Sequence, residues 1–86
     1  MAVVGAELTQ LDQLTRTFGE QAGQVGSIRS RIDNVLSSTT WTGPAAERFR
    51  ADWSQFAPTL ARLSGSLTEA GSAVRRRREA IAAATA

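Results

Sequence analysis

The sequence predicts an all-α protein built as an antiparallel helical hairpin, and three observations carry that reading. Apolar residues recur at alternating steps of three and four through both halves of the chain. One polar segment punctuated by Gly and Pro, "SSTTWTGPAA" at residues 37–46, separates the halves. The hydrophobic fraction of 42% comes largely from Ala, Leu and Val with only 6% aromatic residues, a composition suited to helices and too apolar for a disordered tail.

The first element is a long amphipathic helix over about residues 5–37. From Val4 to Val35 the repeat runs through Leu11, Leu14, Phe18, Val25, Ile28, Ile32 and Val35, with Glu7 and Gln21 as its polar exceptions. Leu8, Ala22 and Leu36 flank this stripe and widen it, so it can face two neighbours instead of one. Residues 38–43 form the turn. Pro44 stands where proline suits the first position of a helix, with Thr42 or Gly43 as the cap.

The second helix, about residues 44–82, continues the alternation through Phe49, Trp53, Phe56, Leu60, Leu63, Leu67, Ala70, Val74 and, past Arg77, Ile81. Pro58 removes one backbone hydrogen bond and predicts a bend near Ser54–Pro58 without a break, because the apolar repeat stays in phase across it. Gly19, Gly23 and Gly26 weaken the first helix. Pairing symmetric about the turn would set Phe18 against the region of Gly65 and Val25 against Pro58, with small residues making room for a ring and a bent backbone. Helices of about 30 residues span ~45 Å, so the molecule is expected to be a rod.

A chain of 86 residues is a single domain at most, 1–86, with a thin core of its own. Two stripes, each wider than one neighbour can cover, call for a second hairpin, and four helices are the smallest assembly that closes such a core. Leu11, Leu14, Phe18, Val25, Ile28 and Ile32 on helix one, and Trp53, Phe56, Leu60, Leu63 and Leu67 on helix two, divide between the hairpin and this partner interface.

Chemistry has little to work with. The chain has no Cys, His or Tyr, so disulfides, thiolate metal sites and the usual general bases are absent from it. The acids Asp12, Glu20, Asp33, Glu47, Asp52 and Glu69 are scattered without metal-ligand spacing. Neither an enzyme nor a cofactor is expected. No run of about 18 apolar residues occurs and the opening "MAVVGAELTQL" lacks a basic region, so neither a membrane span nor a Sec-type signal is expected.

All ten bases are Arg and the net charge is only +2; residues 1–74 hold six Arg against seven acids. The run Arg75, Arg76, Arg77 and Arg78 covers a full helical turn and therefore makes no one-sided basic surface. It reads first as a solvated end favoured by the helix dipole and second as a contact for an acidic partner. Without interleaved aromatics or a second basic cluster, nucleic acid is not expected.

A short chain with Trp41-Thr42-Gly43 at the turn of a helical hairpin resembles the WxG-motif family of small secreted proteins, the early-secreted-antigen-like substrates of type VII secretion in actinobacteria and firmicutes. The resemblance covers the whole chain, and "LTEAGSAV" at residues 67–74 is similar to a stretch that such proteins carry late in helix two. It implies that Trp41 and Gly43 take part in export recognition. Gly43 permits the tight backbone of the turn, and Trp41 is expected to lie over the hairpin's end with its indole N–H near solvent or a partner.

In one respect the chain departs from the family's signal-bearing members, which carry a Tyr followed four residues later by Asp or Glu. On the "EAG" alignment Val74 occupies the Tyr position and Arg78 the acid position, with Glu79 one residue late. The resemblance then implies a subunit that is cytoplasmic before export and secreted with a signal-bearing partner. That partner is a related WxG hairpin, a heterodimer being favoured over a homodimer, and its tail engages the type VII secretion ATPase. The Lys-free, Ala-rich composition resembles that of a high-GC actinobacterial protein. The alternative is a cytosolic homodimeric helical adaptor, or a DNA-associated protein that uses the Arg run.

Overall fold

The computed structural model describes residues 2–85. They form two helices, α1 (Ala2–Ser38) and α2 (Pro44–Thr85), packed antiparallel in a rod of 65 × 17 × 12 Å. The helices are 37 and 42 residues long, which makes the rod longer than the ~45 Å anticipated from helices of about 30 residues.

α1 ends in a run of hydroxyl residues. The Ser38 hydroxyl donates to the carbonyls of Asn34 and Val35, and that of Thr39 to Val35 at 2.6 Å, so side chains give the Val35 carbonyl the donor it lacks at the helix end. The chain then turns at Gly43, whose φ of 103° is open to glycine and strained for any residue with a Cβ. The Gly43 carbonyl accepts the Glu47 N–H at 3.1 Å, the first hydrogen bond of α2, which makes Gly43 the cap and Pro44 the first helical residue.

α2 runs unbroken through Pro58. Ser54 and Pro58 are both exposed, so the Ser54 carbonyl left without its helical donor lies within reach of water.

Where the helices touch, the closest positions are small: Ala22, Ala46, Ala57 and Gly71 are buried, and no large side chain among the described residues is fully buried. Leu11, Phe18, Val25, Trp53, Leu60 and Leu67 are half-buried along the same seam. Three polar ties fix its register. Near the turn, Trp53 Nε1 donates to Asp33 Oδ1 at 2.6 Å; midway, the Ser64 hydroxyl donates to the Ala22 carbonyl at 2.8 Å; near the termini, Arg78 Nε donates to Asp12 Oδ1 at 2.9 Å.

That register corrects the symmetric pairing. Phe18 lies against Gly71, not Gly65: a Cβ added at residue 71 would stand 3.1 Å from Phe18 Cβ, whereas one added at Gly65 meets nothing within 4 Å. Gly19, Gly23 and Gly26 likewise border open space, so they make no room for a ring. The offset arises because residues 39–43 are non-helical and advance farther per residue than a helix does, which starts α2 beyond the end of α1.

Candidate functional site: an uncovered apolar face and the turn

The apolar repeat divides between two directions. A step of three residues rotates ~60° short of a full turn, so the residues three beyond the seam positions Leu11 and Val25 point to one side of it. Leu14, Ile28, Ile32 and Val35 are exposed on α1 in this way, and three residues beyond Trp53 and Leu60 stand the exposed Phe56 and Leu63 of α2, with Phe49 seven residues before Phe56. The rotation has the same sense on both helices. Because they run antiparallel, the two rows come to the same face of the hairpin. A shallow groove formed by Leu11, Leu14 and Ile81 shows α1 and α2 meeting on that face near the termini, and another by Ile32, Val35 and Leu36 marks it near the turn.

This face is apolar to a degree that a hairpin alone does not require. Val35 is 65% exposed and Phe56 52%. Single exposed apolar side chains are ordinary, but seven in two rows on one face, interrupted on α1 by Gln21, form an apolar surface of the kind that marks an interaction site. On the back of the rod, Gly19, Gly23, Gly26, Ser54, Pro58 and Gly65 are exposed.

Trp53 differs from a packing residue in one respect. Its ring lies 5.9 Å from that of Phe56, but its indole N–H is bound to Asp33, whose second oxygen pairs with Arg29 at 3.6 Å. The sequence pattern assigns Trp53 to the seam and contains no signal for Asp33 as its acceptor, since hydrogen-bond partners twenty residues apart depend on the register.

At the turn, Trp41 is 40% exposed and its ring is tilted against that of Phe49 with centroids 5.6 Å apart. The Trp41 N–H donates to the Thr39 carbonyl at 3.0 Å. Arg50 reaches back from α2: Nη1 donates to the Trp41 carbonyl at 2.8 Å and Nη2 to the Thr39 carbonyl at 3.3 Å. Neither Phe49 nor Arg50 stands out as a turn residue in the sequence. Arg50 lies among polar positions of an apolar repeat, and only its distance of about two helical turns from the motif hinted at reach.

The Arg run splits. Arg78 is held inside by Asp12 and also lies 3.5 Å from Glu79, while Arg75, Arg76 and Arg77 are exposed. No helix among the described residues is long and apolar enough to cross a membrane.

With the hairpin, the tight glycine and the exposed tryptophan in place, comparison with known families decides the relationship. Residues 4–84 match WXG100, described as proteins of 100 residues with WXG. The chain belongs to the WXG100 family. Trp41-Thr42-Gly43 is its motif, and the match spans both helices. WXG100 proteins are type VII secretion substrates in kind and generally form dimers with related WXG proteins. Comparison with curated proteins and with solved structures returned no match.

Proposed function

We propose that this WXG100 protein is a non-enzymatic dimer subunit and substrate of a type VII secretion system, paired through its apolar face with a related hairpin. The observation that carries the reading is the uncovered row Leu14, Ile28, Ile32, Val35, Phe49, Phe56 and Leu63 on a family member whose own seam buries only small residues completely. Apolar side chains moved out of water contribute about 1.5–3 kcal/mol each when fully buried, enough in sum to offset the cost of association. A second hairpin laid on this face completes a four-helix bundle.

Val74 and Arg78 stand where signal-bearing members have Tyr and an acid, so this chain travels with a partner that supplies the signal. That partner is a related WxG hairpin whose tail engages the secretion ATPase; the pair is cytoplasmic before export and extracellular after it. The test is a secretion assay in the native host with the partner identified by co-purification. Deleting the partner's tail is expected to retain both chains in the cells. Continued export of this chain alone would refute the dependence.

A further inference from the structure

Trp41 carries the family motif, but nothing in Trp41-Thr42-Gly43 itself holds the tryptophan in place. Trp41 follows a helix that has already ended at Ser38 and precedes one that has not begun. Residues 39–43 have no strand or helix to bind them. Their two ends are tied, by the Thr39 hydroxyl to the Val35 carbonyl and by the Gly43 carbonyl to the Glu47 N–H, and between these the local hydrogen bonds are a 3.3 Å contact from the Thr39 N–H to the Leu36 carbonyl and the 3.0 Å bond from the Trp41 N–H to Thr39. A segment so lightly tied would let a large ring sample many orientations.

Two residues of α2 remedy this. The Arg50 guanidinium is a planar fork of donors, and here its two terminal nitrogens bind the carbonyls of Thr39 and Trp41, two residues apart on the loop. The Thr39 carbonyl also accepts the Trp41 N–H, so the fork closes a small network around the tryptophan's own backbone. A side chain with one donor cannot fix both carbonyls at once, and an amide or ammonium would have to do so from a single nitrogen, without the rigid fork. The Phe49 ring, 5.6 Å from that of Trp41, then limits where the indole can lie.

We propose that Arg50 is a positioning residue for the WxG tryptophan, and that Trp41 and Phe49 together form the aromatic surface the turn presents to the paired hairpin. This rests on the proposed pairing through the apolar face. Phe49 is 45% exposed and begins the row that continues through Phe56 and Leu63. Trp41 therefore extends that row by one ring beyond the end of α1, and the second hairpin that covers Phe56 covers the Trp41–Phe49 pair as it passes the turn. The motif tryptophan is thus the outermost member of the docking face, and Arg50 sets its direction from behind.

The experiment uses the full chain with Trp53→Phe as background, so that Trp41 is the sole emitter. In the unpaired protein, Arg50→Met is expected to leave the far-ultraviolet circular dichroism unchanged while lowering the fluorescence anisotropy of Trp41 and raising its quenching by acrylamide. Binding to the paired hairpin is expected to weaken about fivefold, the scale of one or two lost hydrogen bonds, and Arg50→Lys, which keeps a cationic donor within reach of one carbonyl, is expected to recover part of both effects. Phe49→Leu, which retains an apolar side chain, is expected to free Trp41 in the same way without disturbing Arg50. Unchanged anisotropy and quenching in Arg50→Met would overturn the positioning role. A fall in helicity accompanying any loss would reduce Arg50 to a stabiliser of the turn. If instead the chain forms no pair at all, the proposed pairing fails, while the anisotropy of the unpaired variants still decides whether Arg50 positions Trp41.

Discussion

Phe18 of α1 rests on Gly71 of α2, so close that a Cβ at residue 71 would stand 3.1 Å from Phe18 Cβ and 3.6 Å from the Thr15 carbonyl oxygen. The backbone of α1 cannot easily yield to it. Gly71 is therefore the glycine that brings the helices together near the middle of the rod, and the exposed glycines of α1 have no comparable duty. Gly71→Val is expected to destabilise the fold by about 1–3 kcal/mol through overpacking. Gly23→Ala, with nothing within 4 Å of the new methyl, should stabilise it by about 1 kcal/mol through helix propensity. Thermal melts check both, since 1 kcal/mol moves Tm by about 4–8 °C in a domain of this size.

The Trp53–Asp33 bond crosses the hairpin at its turn end, so its loss should be felt as coupling between the helices. Trp53→Phe keeps a smaller aromatic ring and removes the donor, and Asp33→Ala removes the acceptor. Each is expected to cost about 1 kcal/mol, and the double mutant to cost less than the two together. Chemical denaturation of the four proteins measures the difference; additive losses would mean that the bond contributes nothing beyond packing.

At the other end, Arg78 and Asp12 form a partly exposed pair, with side chains 27% and 45% accessible. Its contribution is expected to be at most about 1 kcal/mol and to shrink as salt is raised. Arg76→Ala, at an exposed position of the same run, should leave the melting temperature unchanged at every salt concentration. Melts of Arg78→Ala and Arg76→Ala in low and high salt separate the interior arginine from its neighbour.

Gly43→Ala forces a Cβ onto a backbone with φ of 103°, where the obstacle is intrinsic strain and not crowding, since no atom lies within 4 Å of the added carbon. A cost of about 1–2 kcal/mol is expected, with Gly43→Val worse because its β-branch further limits the backbone. Circular dichroism melts report the strain. Comparison with Thr42→Ala, a neighbour without positive φ, isolates it.

Much of this architecture was legible because it follows from periodicity. The repeats that run through Leu11 and Trp53, and the break at Gly43-Pro44, define two helices and a turn with no knowledge of what lies opposite. The sequence leaves Thr42 and Gly43 both open as the cap, and the Glu47 N–H bond to the Gly43 carbonyl decides for glycine. What stayed hidden depends on register. Nothing in the sequence distinguishes Gly71 from Gly65 as the seat for Phe18, because the choice turns on how far residues 39–43 carry the chain before α2 begins. The same holds for Asp33 as the acceptor of Trp53 and for Arg50 as the clamp on Trp41. The repeat also lists Leu14 and Leu11 as equals, although one lies open on the front face and the other half-buried in the seam. That distinction requires two helices in space.

Phe56 makes the separation of seam and face measurable. It is 52% exposed in the hairpin, so Phe56→Ala should alter the helicity of the isolated chain little. In the proposed bundle the same change would remove a ring covered by the partner and is expected to cost about 3 kcal/mol or more. Sedimentation of the variant with its partner is expected to show dissociation at concentrations where the wild type stays paired.

The central claim is that a second hairpin covers the face lined by Ile28, Ile32, Phe49 and Phe56. The most direct measurement is the native mass of the chain purified from its own host at micromolar concentration. The account requires a complex of about twice the chain's 9.2 kDa, containing a second hairpin of similar size. A stable, fully helical monomer of 9.2 kDa would contradict it.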